Sequence, residues 1–128
     1  MAMEPAAELW HEWAQGRLCF QECDACEAIQ HPPGPVCGTC HSTSLHLAPS
    51  DGHAALVSWS TVHRAPAPEF AADVPYTIGL VSLRGGALVQ ARVLPGMSPE
   101  GWEPGLPATL RLGEVAGRPQ PVIDRVGG

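Results

Sequence analysis

Two closely spaced pairs of cysteines stand in the first third of this 128-residue chain. Cys23 and Cys26 have two residues between them, as do Cys37 and Cys40, and ten residues separate the pairs. In each pair, backbone N–H groups point at the sulfurs, and a hairpin between the pairs brings four thiolates into a tetrahedral set. The spacing predicts one structural zinc site, because four thiolates leave no position for water or substrate.

Other uses of these cysteines stay open at this point. Four thiolates also hold iron in a rubredoxin-like cage, a C-x2-C pair can act as a redox dithiol, and the pairs could lack metal altogether. Cys19 lies outside the pattern, and we expect it to fill space as a small apolar residue. His31 and His41 stand near the cluster, but with four thiolates present we expect neither to be a ligand.

Glu27 and His41 directly follow the second cysteine of each pair. The backbone there tends to be left-handed, and glycine is the usual residue because it has no Cβ. A left-handed backbone costs any other residue about 1–2 kcal/mol. We expect metal binding to offset this cost, because its free energy becomes folding free energy.

The charge and the termini limit the class of protein. The chain has 13 acidic and 7 basic residues, all seven of them arginine, which gives a formal net charge of −6. No stretch approaches the roughly 20 apolar residues of a membrane span. The N-terminus lacks a basic region followed by an apolar run, so we expect no secretory signal. We expect a cytoplasmic protein with reduced thiols and no membrane partner.

Residues 5–15 are predicted to form a short helix, with Pro5 in its first turn and Gly16 at its C-terminal end. Trp10 and Trp13 admit two interpretations. Either the helix packs on its own domain, or the tryptophans dock on a partner or cover a ligand. On the second interpretation Trp13 is an interface hot spot, because tryptophan is favoured there.

After about residue 45 the sequence alternates in short apolar runs between glycine and proline. This pattern predicts a small barrel or sandwich of short strands. On the first strand we expect Val57, Trp59 and Thr61 to share a face. The predicted strands are 54–64, 76–83, 87–94, 108–115 and 120–126, with long loops at 65–75 and 95–107.

The order of helix, four-cysteine ribbon and small barrel resembles the "domain of unknown function 35" family. One matching segment is GRLCFQECDACEAIQHPPGPVCGTC, and the more telling one is VSWSTVHRAPAPEFAADVPYTIGLVSL. Members of this family combine a rubredoxin-like zinc ribbon with an OB-fold. The resemblance implies a mainly β protein with an N-terminal helical arm (1–16), a zinc ribbon (17–45) and an OB-fold (46–128). The segment PQPVIDRV departs from the family in lacking an aromatic-rich ending.

The resemblance also implies a function. Such proteins accompany thiolases or thiolase-like aldolases that act on acyl-CoA thioesters, and some accompany hydratases. The expectation is a non-catalytic scaffold subunit that helps form the partner's CoA channel, in lipid, steroid or aromatic-acid metabolism, in an assembly with two copies of each chain. The residues expected to contact acyl-CoA are Phe70, against an acyl or pantetheine chain, and Arg64, against a phosphate.

Two other functions compete with this expectation. OB-folds and zinc ribbons occur in proteins that bind single-stranded nucleic acid. Such binding needs clustered positive charge, whereas here the arginines are scattered and the chain is acidic. A self-sufficient enzyme is the other alternative. The sequence has no G-x-S-x-G elbow or phosphate-binding glycine loop, and no spacing pairs Cys19 with a particular histidine.

Overall fold

The computed structural model describes residues 4–127, so residues 1–3 of the predicted helical arm lie outside the described part. Three short strands form an antiparallel sheet in the order β2-β1-β3, and five longer strands close into a barrel in the order β4-β5-β6-β8-β7. The predicted fold class, a mainly β chain with a short helix, a four-cysteine ribbon and an OB-type barrel, is confirmed. In chain order the elements are α1 (Pro5–Ala14), β1 (Cys19–Cys23), β2 (Ile29–Gln30), β3 (Leu45–Pro49), β4 (His53–Val62), a 3-10 turn (Pro68–Phe70), β5 (Tyr76–Leu83), β6 (Leu88–Val93), β7 (Pro107–Val115) and β8 (Arg118–Val126).

Helix α1 packs on its own domain through one side. Pro5 occupies its first turn, and Gly16 follows its end with a φ of 84°. Leu9 and Trp13, four residues apart, are 1% and 5% exposed and belong to the main apolar core. The expectation that Trp13 anchors a partner is therefore wrong, because its indole already fills the core of its own chain. Trp10, three residues before Trp13 on the adjoining strip of helix surface, is 61% exposed.

The barrel interior follows the alternation of strand β5. Gly79, Val81 and Leu83 are buried, whereas the residues between them are only half-buried. A Cβ at Gly79 would lie 2.5 Å from Cδ1 of Ile123, on strand β8 across the interior. Glycine at this position lets the buried Ile123 side chain fill the space between the strands.

Strand β4 departs from the predicted alternation at one residue. Leu56 pairs with Val81, but the next pair is Ser58 with Leu80, so Val57 is the extra residue of a β-bulge. The bulge turns Leu56 inward, where it is 1% exposed, and leaves Val57 37% exposed. The prediction that Val57 shares a face with Trp59 is therefore wrong, because one extra residue reverses the side-chain alternation.

Strand β8 closes the barrel without an aromatic ending. It pairs antiparallel with β7 along most of its length and parallel with β6 at two positions, Val122 and Ile123. Both of these residues are buried, so apolar packing accompanies the closing hydrogen bonds. Within residues 4–127, no helix has the length and apolarity needed to cross a membrane.

Candidate functional site

The four paired cysteines come together at one end of the ribbon sheet. Cys23 is the last residue of strand β1, and Cys26, Cys37 and Cys40 lie in turns. Their Sγ atoms all lie within 4.8 Å of one another. The Sγ atoms of Cys23 and Cys40 are 3.5 Å apart, and those of Cys26 and Cys37 are 3.6 Å apart. All four thiols are free.

Backbone N–H groups point at the sulfurs, as the spacing predicts. The N–H of Ala25 donates to Sγ of Cys23 at 3.4 Å. In the second pair, the N–H groups of Thr39 and Cys40 donate to Sγ of Cys37 at 3.3 and 3.5 Å. These bonds stabilise a thiolate more than a thiol, so both turns are prepared to hold negative charge.

Backbone N–H groups also lower the pKa of one thiol in each pair. The N–H of Cys40, followed by that of Thr39, holds the pKa of Cys37 at about 6. The N–H of Cys26 is the main cause of the lowered pKa of Cys23. Cys23 and Cys37 are each 1% exposed, so both sit at the base of the cluster.

The pKa of the other thiol in each pair is raised instead. The N–H of Ala28 lowers the pKa of Cys26, but desolvation and the three neighbouring thiols outweigh it and raise that pKa to about 12. The N–H of Ser42 likewise lowers the pKa of Cys40. The net shift of that pKa is nevertheless upward, and the Cys23 thiol is the largest cause of the rise. Four thiolates this close repel one another, so full ionisation requires a cation among them.

The donor set fits a tetrahedral metal ion. A metal–sulfur bond of about 2.3 Å gives sulfur–sulfur edges of about 3.8 Å, close to the two separations above. Zinc and iron share this geometry, and either would hold the two turns together. Over residues 4–127, the group of side chains close enough to share an ion contains these cysteines and neither His31 nor His41. Cys19 stands apart in strand β1, 5% exposed in the apolar core, as expected.

Glu27 and His41 adopt the left-handed backbone expected after each pair. Their φ angles are 64° and 66°. The N–H of Glu27 donates to the carbonyl oxygen of Cys23 at 3.0 Å, and that of His41 donates to the carbonyl oxygen of Cys37 at 2.9 Å. Each pair thus closes a turn, with a non-glycine residue in the strained position.

Two glutamines that the sequence analysis missed fasten the proline-rich loop beside the cluster. Gln21, 6% exposed in strand β1, exchanges two 2.9 Å hydrogen bonds with the backbone of Gly34. Gln30 donates to Gln21 at 2.6 Å and to the carbonyl oxygen of Val36 at 3.1 Å, and accepts from the N–H of Gly38 at 2.9 Å. The polar Gln21 at the centre of strand β1 was the signal available in the sequence.

The loop between β4 and β5 carries the two residues expected to contact acyl-CoA. Arg64 is exposed just beyond the end of β4 and forms no salt bridge with any of residues 4–127. Phe70 is half-buried at the end of the 3-10 turn, with its ring 6.4 Å from that of Tyr76. The loop therefore presents one free cation and one partly covered apolar ring.

Arg92, on strand β6, holds this loop, a role that the sequence analysis missed. Its guanidinium lies 3.7 Å from the ring centre of Tyr76 and 5.4 Å from that of Phe70. Its Nη1 also donates to Oδ2 of Asp73 at 2.8 Å, and the side chain is only 16% exposed. A cavity of about 350 Å³ adjoins it, lined by Asp73, Tyr76 and Met97 among others.

Comparisons with known proteins agree with this architecture. Residues 10–46 match the family "ChsH2, rubredoxin-like zinc ribbon domain", and residues 48–113 match "ChsH2, C-terminal OB-fold domain". The fold is also that of a solved chain of the "Ltp2-ChsH2(DUF35) aldolase". That match has a TM-score of 0.76 and 30% identity, and it covers 96% of this chain and 94% of the other.

A curated relative from Thermomonospora curvata is named "Probable enoyl-CoA hydratase alpha subunit". It is 35% identical over 102 residues, which cover 79% of this chain and 31% of the relative. The chain thus spans about a third of the length of that relative. With both domain matches in the expected order and a solved structure alike over almost its whole length, the chain belongs to the DUF35 family, in its ChsH2-type form of rubredoxin-like zinc ribbon and OB-fold.

Proposed function

We propose that this chain is a non-catalytic accessory subunit of a thiolase-fold enzyme, a thiolase or an acyl-CoA aldolase, and that it helps form the acyl-CoA channel of that enzyme. The main support for this proposal is the structural similarity, over 96% of the chain, to a chain of the Ltp2-ChsH2(DUF35) aldolase. The Thermomonospora curvata relative is named as a hydratase subunit, so a hydratase is an alternative partner. Fatty acids, steroids or aromatic acids are the substrate classes to which this role extends.

The metal centre in this proposal is structural zinc bound by Cys23, Cys26, Cys37 and Cys40. A set of four sulfurs within 4.8 Å of one another fills the coordination sphere. Zinc bound there supplies folding free energy and no catalytic position. The absence of an open metal position supports a scaffold role for the chain.

The loop between β4 and β5 is the proposed contact with acyl-CoA. Phe70 offers an apolar ring to an acyl or pantetheine chain, and Arg64 offers a free guanidinium to a phosphate. Arg92 and Asp73 hold the loop in one conformation, which lowers the ordering cost of binding.

The barrel surface gives little support to nucleic-acid binding. In OB-folds the second and third strands and neighbouring loops form the oligonucleotide surface. Strands β4, β5 and β6 together hold 24 residues (10, 8 and 6), and Arg92 is the one among them with a formal charge. Its guanidinium is already paired with Asp73. We therefore expect no binding to DNA or RNA tighter than about 10⁻⁴ M at physiological salt. A gel-shift titration measures this, and micromolar affinity that falls steeply with salt would favour the nucleic-acid alternative.

Purification of the tagged chain from its native cells tests the proposal directly. A thiolase-fold enzyme should co-elute in size-exclusion chromatography, with two copies of each chain in the assembly. Thioester-cleavage and aldol-cleavage assays should show no activity for the chain alone and restored activity on recombination with that enzyme. The proposal fails if no such enzyme co-elutes, or if the enzyme is fully active without the chain.

A further inference from the structure

A groove of about 510 Å³ separates helix α1 from the first residues of strand β8. Its lining includes Trp10 and Trp13 from the helix, His31 from the ribbon loop, and Arg118, Pro119 and Pro121 from the strand. The groove thus lies where the helix, the ribbon and the barrel meet. It is separate from the cysteine cluster, whereas Gln90 and Gln120 of its lining also line a smaller cavity beside Pro66 and Phe70.

The helix side of the groove is apolar and unusually exposed. Trp10 is 61% exposed, although an indole is among the largest apolar side chains. Its neighbours at three and four residues along the helix are Ala6, Ala7, Trp13 and Ala14, none of which is charged. Charge is depleted and tryptophan enriched at the centres of protein interfaces, so this stripe has the composition of a docking surface.

Arg118 is the one formal charge in the groove lining. It is exposed and forms no salt bridge with any residue of the described range 4–127. His31 adds no second charge at neutral pH, because burial between aromatic rings lowers its pKa. In a chain of net charge −6, the groove is therefore a local positive site with apolar walls.

The strand side of the groove prevents binding by addition of a β-strand. Residues 118–121 of β8 pair with β7, whereas β6 joins β8 only from Val122 onward, so one edge of this segment is open. Pro119 and Pro121 have no N–H to offer along that edge. An added β-strand would lack its donors there, so an occupant must dock through side chains.

We propose that this groove receives a segment of the partner enzyme in which an apolar side chain stands beside an aspartate or glutamate. The apolar side chain packs between Trp10 and Pro119, which is exposed whereas Pro121 is buried, and the carboxylate pairs with Arg118. The charge of the groove selects an acidic over a basic segment, because the lining contains one cation and no acid. This inference rests on the proposed function and assigns the docking surface for it.

Four variants of the full chain test the groove, using as probe the enzyme that co-purifies with the wild type. Trp10→Ala should weaken the complex about 30-fold, as loss of a tryptophan hot spot does. Arg118→Glu should weaken it at least tenfold, and it should remove the salt dependence of the wild-type affinity. Leu88→Ala, a truncation at a 50% exposed apolar side chain of the barrel, and Arg125→Glu, the same charge change near the other end of β8, are the matched controls. Both should bind like wild type.

A photoreactive side chain identifies the occupant. Gln120→p-benzoylphenylalanine places the cross-linker on an exposed residue of the groove lining. Mass spectrometry should find a cross-linked enzyme peptide that contains an apolar residue next to an aspartate or glutamate. Metal content and circular dichroism of the Trp10 and Arg118 variants should match wild type, which separates docking from folding.

The outcomes divide the two proposals. If the wild type co-purifies with no acyl-CoA enzyme, the proposed function fails. If the wild type co-purifies with such an enzyme, and the Trp10 and Arg118 variants bind that enzyme as tightly as the wild type does, the groove assignment alone fails. Cross-links to a basic segment of the enzyme, or to a second copy of this chain with Trp10-dependent dimers, also overturn the assignment.

Discussion

The indole Nε1 of Trp13 donates a hydrogen bond to the backbone carbonyl oxygen of Cys19 at 3.1 Å. The ring also lies edge-on to Phe20, with centroids 6.2 Å apart. A single helical side chain therefore joins the N-terminal helix to the first strand of the ribbon, through both a buried polar contact and aromatic packing. The helix is part of the fold rather than an independent arm.

Replacing Trp13 should destabilise the whole protein. Trp13→Ala should lower the free energy of unfolding by about 3–5 kcal/mol, because it leaves a cavity in the core and an unpaired carbonyl. Trp13→Phe should cost less, since it keeps most of the apolar volume and loses the hydrogen bond. Denaturant unfolding of the metal-loaded protein measures both.

Trp10→Ala is the natural control for the Trp13 variants. Trp10 is 61% exposed, so its removal should change the free energy of unfolding by less than about 0.5 kcal/mol. Equal destabilisation by the two alanine variants would mean that the burial of Trp13 does not hold in solution.

His31 should make the protein less stable in mild acid. Its ring packs against Trp13 and Phe20, and Nδ1 is buried with no hydrogen-bond partner among the described residues. Burial lowers its pKa from the ordinary value of 6.5. Between 6.5 and the lowered value, the unfolded chain binds a proton that the folded chain does not, so stability falls as pH falls through this window.

The variant His31→Phe measures that contribution. Its free energy of unfolding should fall less steeply than that of wild type from about pH 7 to pH 5, because the titrating ring is gone. Both proteins carry the cysteine cluster, so acid release of metal affects them equally. Parallel slopes for wild type and His31→Phe would contradict the prediction.

How far the sequence predicts this structure depends on how local the determining contacts are. The cysteine cluster follows from two short turns, and the predicted bounds of strand β5, 76–83, agree with the structure because alternation and flanking glycine define them. Strand β3 was missed, since its role comes from pairing with β1 about 26 residues earlier in the chain, for example Leu47 with Gln21. The bulge at Val57 likewise depends on the partner strand.

Side-chain roles that depend on tertiary contacts were the hardest to predict. Helical spacing makes Trp10 and Trp13 neighbours on the helix surface, and only the position of the ribbon decides which of the two faces the core. Arg92 is an isolated arginine in an apolar strand, and its role appears only when the loop with Phe70 and Asp73 folds back over it. Neither relationship leaves a periodic signal in the sequence.

Loss of one cluster thiol should release the metal. Cys37 is 1% exposed, and its Sγ accepts hydrogen bonds from two backbone N–H groups. These bonds lower its pKa, so Cys37→Ser removes a thiol that ionises readily. The zinc content measured by elemental analysis should fall from about one ion per chain to near zero, and the midpoint of thermal unfolding should move to a lower temperature. Cys19→Ser, outside the cluster, should keep its metal. A folded wild type without metal, or one loaded with iron in its native cells, would refute the zinc assignment.

Arg92 should order the loop that carries Phe70. Arg92 contacts two residues of this loop, Phe70 through its ring and Asp73 through a hydrogen bond, and it also stacks on Tyr76, the first residue of strand β5. Arg92→Ala should therefore lower the local stability of the loop by about 1–2 kcal/mol, the sum of a cation–π contact and a partly exposed ion pair. Hydrogen exchange of residues 66–75 should become roughly tenfold faster, because exchange from a locally opened segment follows its opening free energy.

Two further variants divide this effect between its causes. Asp73→Asn removes the ion pair and leaves the stacked rings, so it should produce the smaller part of the change and reduce its dependence on salt. Arg92→Lys keeps the charge but loses the planar group that stacks on Tyr76, and it should fall between wild type and Arg92→Ala. Arg64→Ala, in the same loop but without a salt bridge among the described residues, should exchange like wild type. Unchanged exchange in Arg92→Ala would show that the loop is ordered by its prolines rather than by strand β6.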